Sequence, residues 1–403
     1  MEDTYMSKKL FINHTLIDGN GGKAVENSAF LIEGNVITAV GTAQDFSVCD
    51  DSMEIIDCAG KTIMPGMINS HVHVFMEPYT WDRIAYRQEP LSQLSIEVAD
   101  NLRKLLLSGV TYVRDLGGYM DLDIHFRGYV ESGKVQGPNM MCAHHPLTIS
   151  CGHGRDFSIQ CDGAHEFMKG VREQIRDGAD LIKIMVTAGY GRPKMGVNHT
   201  IVPDTVYMLP EEIRAATDEA HKMGKMVAAH CCGMTGVYNA VMNGVDTIEH
   251  GQFKDTSAPE VMPLIDEMAH RGTWLVPTLA AYYKEYDRAE VEREYQAVAE
   301  TFRLCHSGGV KIAMGTDAGV PWVGHDRTAD ELEHMSLYGM TNMEAIVAST
   351  KSPAVMMGII EDYGTIERGK HADFLILGKN PLSDIRALKN NLLHVYKSGE
   401  RVL

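Results

Sequence analysis

GMINSHVHV, residues 66–74, is a short apolar run with polar residues near its end, and it predicts a β-strand. Seven similar runs follow, each separated from the next by a longer amphipathic stretch. They occupy residues 111–118, 140–147, 181–189, 226–232, 247–251, 274–279 and 311–319. Between the fourth and fifth runs, residues 210–223 predict a helix, because Pro210 favours its start, Gly224 favours its end and apolar residues recur at helical spacing.

Eight alternating strand–helix units predict an α/β fold, a (β/α)8 TIM barrel with its active site at the carboxyl ends of the strands. An open doubly wound sheet is the competing architecture, because strand counting alone does not exclude it. The flanks are β-rich, and the Gly34-Asn35 pair predicts a hairpin. We therefore expect residues 1–64 and 360–403 to form one small β-sandwich domain and residues 65–359 to form the barrel.

Composition narrows the function classes. The 403 residues include 37 Lys and Arg against 54 Asp and Glu, a net charge of −17, which argues against a nucleic-acid partner. There is no signal-peptide pattern and no apolar stretch of the roughly 18 residues that a membrane span needs. The 8 cysteines form no CxxC pair, as expected for reduced thiols in a cytoplasmic protein without a membrane partner.

Polar residues at the predicted strand ends indicate chemistry. His71 and His73 lie two apart on the first strand, so their side chains leave the same face. Alone, such a pair is more often structural. His230, His250 and Asp317 end three other strands, and this joint set offers the ligand types of a borderline metal such as zinc.

Lys183 is unusual because it lies within the apolar run LIKIMV. An unpaired ammonium there is strongly disfavoured, so the amine must be neutral, paired or modified. A salt-bridged lysine at the strand end is the ordinary explanation. Beside a metal site, the neutral amine could instead take up CO2, and the carbamate would offer two oxygens to two cations.

These residues, within PGMINSHVHV, DLIKIMVTAG and GTDAG, resemble the metal-dependent amidohydrolase superfamily, and the resemblance covers essentially the whole chain. GVTYVRDLGG, CGHGRD and VDTIEHG resemble its branch of prolidase-like dipeptidases and arginine or lysine carboxypeptidases, with imidazolonepropionase-like enzymes nearby. Two departures concern the substrate pocket: the fifth-strand histidine begins the segment HCCG, where relatives often carry a second His or a Tyr within the next two residues, and Cys151 replaces a usual Gly.

The resemblance implies two divalent metal ions, expected to be zinc, bridged by carbamylated Lys183 and a hydroxide. It assigns a catalytic role to Asp317 as general base and acid, and also one to His153. His153, Arg155 and His325 are expected to contact substrate, whereas the pair His144 and His145 receives no role. The implied metal ligands are His71, His73, Lys183, His230, His250 and Asp317.

The function predicted in this way is hydrolysis of the amide bond of a dipeptide or an N-acyl amino acid. The alternative is hydrolysis of a cyclic amide, a lactam or heterocycle of the imidazolonepropionase type, on the same scaffold. An inactive relative that serves as an interaction protein is disfavoured, because all six ligand positions are filled. A small-molecule substrate and a homo-oligomer are the expected partners.

Overall fold

The structure is a computed structural model that describes residues 8–46, 53–79, 89–189, 205–282 and 288–403. The chain divides into two compact units, one of residues 1–69, 102–112 and 326–403 and the other of residues 70–101 and 113–325. The strands are β1 (Lys8–Leu16), β2 (Val25–Glu33), β3 (Val36–Thr42), β4 (Met53–Asp57), β5 (Thr62–Pro65), β6 (Met67–Val72), β7 (Val110–Asp115), β8 (Asn139–Cys142), β9 (Leu147–Thr148), β10 (Ile159–Gln160), β11 (Ile182–Met185), β12 (Val227–Cys232), β13 (Thr247–Gln252), β14 (Trp274–Val276), β15 (Lys311–Ile312), β16 (Phe374–Leu377), β17 (Leu392–Lys397) and β18 (Glu400–Arg401). The helices are α1 (Leu91–Leu107), α2 (Leu122–Glu131), α3 (Ala164–Arg176), α4 (Pro210–Lys222), α5 (Met234–Met242), α6 (Val261–Arg271), α7 (Arg288–Ser307), α8 (Thr328–Leu337), α9 (Asn342–Ala348), α10 (Lys351–Met356) and α11 (Ala387–Asn390).

The β-rich unit joins the two ends of the chain in one sheet. Its strand order is β18-β17-β16-β5-β1-β2-β3, and β4 pairs in parallel with β1. The carboxyl-terminal β16 pairs antiparallel with β5, and β2 and β3 form the predicted hairpin. Aromatic rings fill its core, with Phe11 5.0 Å from both Phe30 and Phe374 between ring centroids. The two-layered sandwich and the domain limits stay predictions.

The other unit contains parallel strands that alternate with helices, so the mixed α/β character is confirmed. All eight predicted strands are present, in a seven-stranded sheet of order β10-β9-β11-β12-β13-β14-β15 and a three-stranded sheet of order β6-β7-β8. Backbone hydrogen bonds outside the strand ladders link these sheets. The Ser70 N–H donates to the Met314 carbonyl at 2.9 Å, and the Asp180 N–H donates to the Cys142 carbonyl at 2.8 Å. The closed barrel itself stays a prediction.

Helix α4 shows why its boundaries were readable from sequence. Pro210 is its first residue, and the Glu212 side chain accepts the Leu209 N–H at 2.8 Å, which satisfies a donor that the helix leaves unpaired. Buried Ile213, Ala216 and Ala220 form its inner face. Within the described ranges, no helix combines the length and apolar character needed to cross a membrane.

Candidate active site

The first polar cluster joins the end of β6 to the loop after β15. The Nε2 atoms of His71 and His73 each lie 3.3 Å from the Asp317 Oδ1. A backbone bond of 2.8 Å from Asp317 N to the His71 carbonyl fixes this approach, and Asp317 adopts a left-handed φ of 61°. Such a backbone is costly for a residue with a side chain, and it is found mainly where function or packing holds it.

Strands β12 and β13 place the next two histidines. In their parallel register His230 pairs with Glu249, so strict alternation would direct the following residue, His250, to the opposite face. His250 instead has a φ of 73°, and its ring centroid lies 4.6 Å from that of His230 and 5.1 Å from that of His71. The break in alternation therefore brings His250 into the same cluster.

Lys183 extends from β11 into this cluster. It is only 1% exposed, and its Nζ has no hydrogen-bond partner among the residues that the structure describes. Burial lowers the pKa of this amine to about 8, although the carboxylates of Glu249 and Asp317 oppose the shift. A neutral amine is therefore available close to neutral pH, as the prediction of a modified lysine requires.

Sequence reasoning missed a buried ion pair behind the histidines. The Glu249 carboxylate, fully buried, accepts from Arg114 at 2.7 Å and lies 2.8 Å from His71 Nδ1. Thr247 donates to the same carboxylate at 2.5 Å. The indication of this pair in the sequence is one charged residue within each of two predicted strands, Arg114 in TYVRD and Glu249 in TIEH.

Hydrogen bonds at Nδ1 orient the imidazoles. Glu249 can only accept at His71 Nδ1, so that nitrogen carries a proton, and a neutral His71 ring would turn its Nε2 lone pair toward the cluster. His250 Nδ1 lies 2.8 Å from Thr278 Oγ1, and His73 Nδ1 lies 3.4 Å from the Gly117 carbonyl. These contacts direct the Nε2 atoms toward one another, as a metal site requires.

The protonation states suit cation binding. Burial holds the pKa values of His230 and His250 well below the ordinary range, so both imidazoles are neutral. Burial alone would raise the pKa of Asp317, but His71 and His73 outweigh it and hold that pKa well below its usual value. Four imidazoles, one ionised carboxylate and a buried amine without a partner among the described residues fit divalent cations, because a cation accepts the nitrogen lone pairs and balances the charge of the carboxylate.

The predicted substrate contacts differ in their placement. The His153 ring stacks on that of His230 at 4.3 Å between centroids, so it lies beside the cluster. Arg155 is exposed, and its Nε lies 3.8 Å from Asp156 Oδ1. His325 is buried, with Nε2 3.2 Å from the His73 carbonyl, so its contact in this structure is to the backbone of a cluster residue. Cys232, of the unusual HCCG segment, places Sγ 3.8 Å from His230 Nε2.

Neutral imidazoles and a carboxylate gathered at the ends of parallel strands are typical of hydrolytic enzymes that use divalent metals. The chain belongs to the amidohydrolase family, whose profile matches residues 62–402, and it is a hydrolytic enzyme. This finding confirms the resemblance drawn from the motifs.

Similar proteins have related names. Ochratoxinase of Aspergillus niger is 27% identical, over 96% of this chain and 84% of the relative, and an imidazolonepropionase of Mesorhizobium japonicum is 23% identical over 90% and 89%. A solved Xaa-Pro dipeptidase with methionine in its active site is 30% identical, with a TM-score of 0.83 over 98% of this chain and 99% of the other. A prolidase complexed with N-methylphosphonate-L-proline is 27% identical, with a TM-score of 0.87 and the same coverage.

Proposed function

We propose that this protein is a binuclear metal-dependent amidohydrolase that cleaves the amide bond of a dipeptide or an N-acyl amino acid. The observation that carries the proposal is Lys183, a buried amine without a described partner, beside four histidines and Asp317. A neutral amine can bind CO2 and release a proton, and the resulting carbamate provides two oxygens. This modification would turn an isolated buried amine into a ligand shared by two cations.

The ligands would divide into two sets. His71, His73 and Asp317 would hold one ion, His230 and His250 would hold the other, and carbamylated Lys183 would contribute to both. Zinc suits imidazole and carboxylate donors. When bound, the ions would lower the pKa of water toward neutrality and polarise the substrate carbonyl.

Asp317 is placed to move the proton in this reaction. Hydrolysis adds water across the amide, so the carbonyl carbon gains an oxygen, the C–N bond breaks and the nitrogen gains a proton. Asp317 is held ionised and would accept the proton from water, then deliver it to the departing amine. His153, stacked on His230, would contact the substrate carbonyl or its carboxylate.

Substrates with a free carboxylate beside the scissile amide suit the groups outside the cluster. Arg155, two residues beyond His153, is exposed, so its guanidinium could donate charge-assisted hydrogen bonds to the substrate carboxylate. The named structural neighbours also favour amino-acid chemistry, because one is described with methionine and another with a phosphonate derivative of proline. The net charge of −17 does not oppose an anionic substrate, because distant charges are screened by salt.

Cyclic-amide hydrolysis is the second candidate, and the imidazolonepropionase relative favours it. Both reactions would use the same cluster, and they differ in the groups that hold the rest of the substrate.

A substrate panel separates the two candidates. It pairs Xaa-Pro, Xaa-Arg, Xaa-Lys and hydrophobic dipeptides and N-acyl amino acids with their C-terminal amides, and adds lactams and imidazolone-type rings. We expect turnover of free acids, with kcat/KM falling at least tenfold for each matched amide because a charge-assisted bond is lost. Turnover of rings alone, or equal turnover of acids and amides, would reject the dipeptide assignment.

A further inference from the structure

A second group of metal-ligand side chains lies outside the active-site cluster. It consists of Asp121, at the N-terminal end of α2, and His144 and His145, which follow β8; one ligand atom from each lies within 4.8 Å of the other two. Asp121 Oδ1 lies 2.7 Å from His144 Nε2 and 3.7 Å from His145 Nε2. We call these three residues the outer triad.

We propose that the outer triad binds one divalent transition-metal ion of the zinc type, in addition to any ions held by the active-site cluster. Two imidazoles and one carboxylate are the donor set of many zinc sites, with the remaining position open to water. Binding of an ion at these three residues is independent of the reaction proposed above.

The distances are close to those of an ion-bound triad. Zinc bonds of about 2.1 Å at tetrahedral angles separate two ligand atoms by about 3.4 Å. The separations of 2.7 and 3.7 Å bracket this value, and the cluster of His71, His73 and Asp317 has both at 3.3 Å. Both separations from Asp121 therefore differ from the ion-bound value by less than one ångström, and the two histidine atoms lie within 4.8 Å of each other.

The tautomer of His145 points to a cation. Its Nδ1 lies 3.1 Å from the Phe157 carbonyl, which only accepts, so Nδ1 carries the proton. When the ring is neutral, its Nε2 lone pair faces the Asp121 carboxylate at 3.7 Å. Two electron-rich atoms face each other in this arrangement, and a cation between them would convert repulsion into attraction.

The side chains of the outer triad do not fill the structural roles that are usual at their positions. Asp is a preferred N-cap residue, yet the Asp121 side chain makes no cap hydrogen bond to α2 and reaches His144 instead. The His144 N–H donates to the buried Asp123 carboxylate at 3.0 Å, which fixes the backbone beneath the ring. His144 is 3% exposed, and within the described part of the chain its Nδ1 has no hydrogen-bond partner.

Solvent can reach the outer triad independently of the active site. The Asp121 and His145 side chains are 58% and 22% exposed, so an ion could enter from solvent and keep water ligands. Phe157 separates the two sites, because its carbonyl binds His145 while its ring lies 6.0 Å from that of His73. The outer triad shares no residue with the active-site cluster.

The test is a zinc titration of the full-length protein after dialysis against a chelator, with metal per chain measured by elemental analysis at buffered free zinc. Asp121→Asn alters an exposed side chain and His145→Ala a partly exposed one, so the fold should survive; equal Tm values in metal-free buffer check this. His125→Ala, at an exposed histidine of α2 outside the triad, is the matched control.

We expect wild type and His125→Ala to bind one equivalent more than Asp121→Asn and His145→Ala at the same free zinc, with at least a tenfold loss of affinity for that equivalent. Anomalous scattering at the zinc edge should place it between Asp121 and the two histidines. Equal stoichiometry in wild type and both triad variants would overturn the proposal. If wild type binds only the equivalent that Asp121→Asn removes, the outer triad stands and the binuclear active site fails.

Discussion

At the scale of single residues, the active site depends on charged side chains that are buried from solvent. Glu249 and Arg114 are both fully buried and bonded at 2.7 Å, and Arg114 also donates to the Ser70 carbonyl at 2.6 Å. Burial opposes ionisation of Glu249, but Arg114 and His71 outweigh it and hold its pKa well below the usual range. The carboxylate thus remains an acceptor that fixes the tautomer of His71.

Glu249→Gln should weaken both stability and metal binding. The change leaves the Arg114 guanidinium buried without a compensating charge, which costs about 3–5 kcal/mol. It also removes the acceptor that fixes His71 Nδ1, and losing such a partner typically lowers metal affinity about 10- to 100-fold. Chemical denaturation and a chelator competition measure the two effects.

Thr247→Val is the matched control for Glu249→Gln. It removes one neutral partner of Glu249 and of Arg114 but leaves the bond to His71 intact. We expect a smaller loss of stability and unchanged metal affinity. Wild-type metal affinity in Glu249→Gln would show that this carboxylate serves stability alone.

At the scale of elements, the predictable features are those encoded by nearby residues. Helix α4 and strand β12 follow from local periodicity and from Pro210 at the helix start, and both were predicted within one residue of their observed limits. Strand β15 is only Lys311–Ile312, shorter than the predicted 311–319, because the following residues turn toward Asp317, whose φ is 61°. The point at which the backbone stops being extended cannot be recognised from the pattern of apolar residues in the sequence.

The features missed from sequence join distant elements. Arg114 and Glu249 are 135 residues apart, and Asp121 and His144 are 23 apart, so no local spacing connects them. Strict alternation would also have directed His250 away from His230. The ligand residues could nevertheless be proposed from the sequence, because they lie in or near the ends of predicted strands and parallel strands bring such ends together; their role as ligands stays a prediction.

An acid-sensitive histidine lies within the sheet of the β-rich unit. His14, on β1, is 1% exposed, and its ring packs edge-on against Phe30 of β2 at 5.4 Å. Burial lowers its pKa from 6.5 to about 4. The folded protein therefore binds fewer protons here than the unfolded chain between these pH values, so stability is complete above about 6.5 and is lost as the pH falls toward 4.

Replacing His14 should make the protein less sensitive to acid. The lost contribution between pH 7 and pH 5 is about 2 kcal/mol, and His14→Leu abolishes it because leucine does not titrate. The free energy of unfolding should fall less for His14→Leu than for wild type over this range. His270→Gln, at an exposed histidine of α6, should behave like wild type. Identical pH profiles for wild type and His14→Leu would contradict this assignment.

At the scale of the whole molecule, both groups of metal-ligand side chains found among the described residues belong to one unit. The active-site cluster and the outer triad lie within residues 70–101 and 113–325, whereas the β-rich unit supplies none of their ligands. The interior of this unit also holds four buried imidazoles, an ionised carboxylate and the Lys183 amine, which has no hydrogen-bond partner among the described residues. Uncompensated polar groups at such positions reduce stability, so metal binding and folding are expected to be coupled.

Removing metal should therefore lower both activity and Tm. The measurement is best made on Asp121→Asn, so that only the active-site cluster is counted. We expect about two divalent ions per chain, because six ligands make two sites, and loss of both under chelation. Each site that is saturated at about 1,000 times its Kd adds about 4 kcal/mol to the free energy of unfolding, so Tm should fall by several degrees and return on adding zinc.

Lys183→Ala should hold fewer than two ions, because it lacks the shared ligand. Full activity with a single ion per chain, or a metal content unchanged in Lys183→Ala, would contradict the binuclear site.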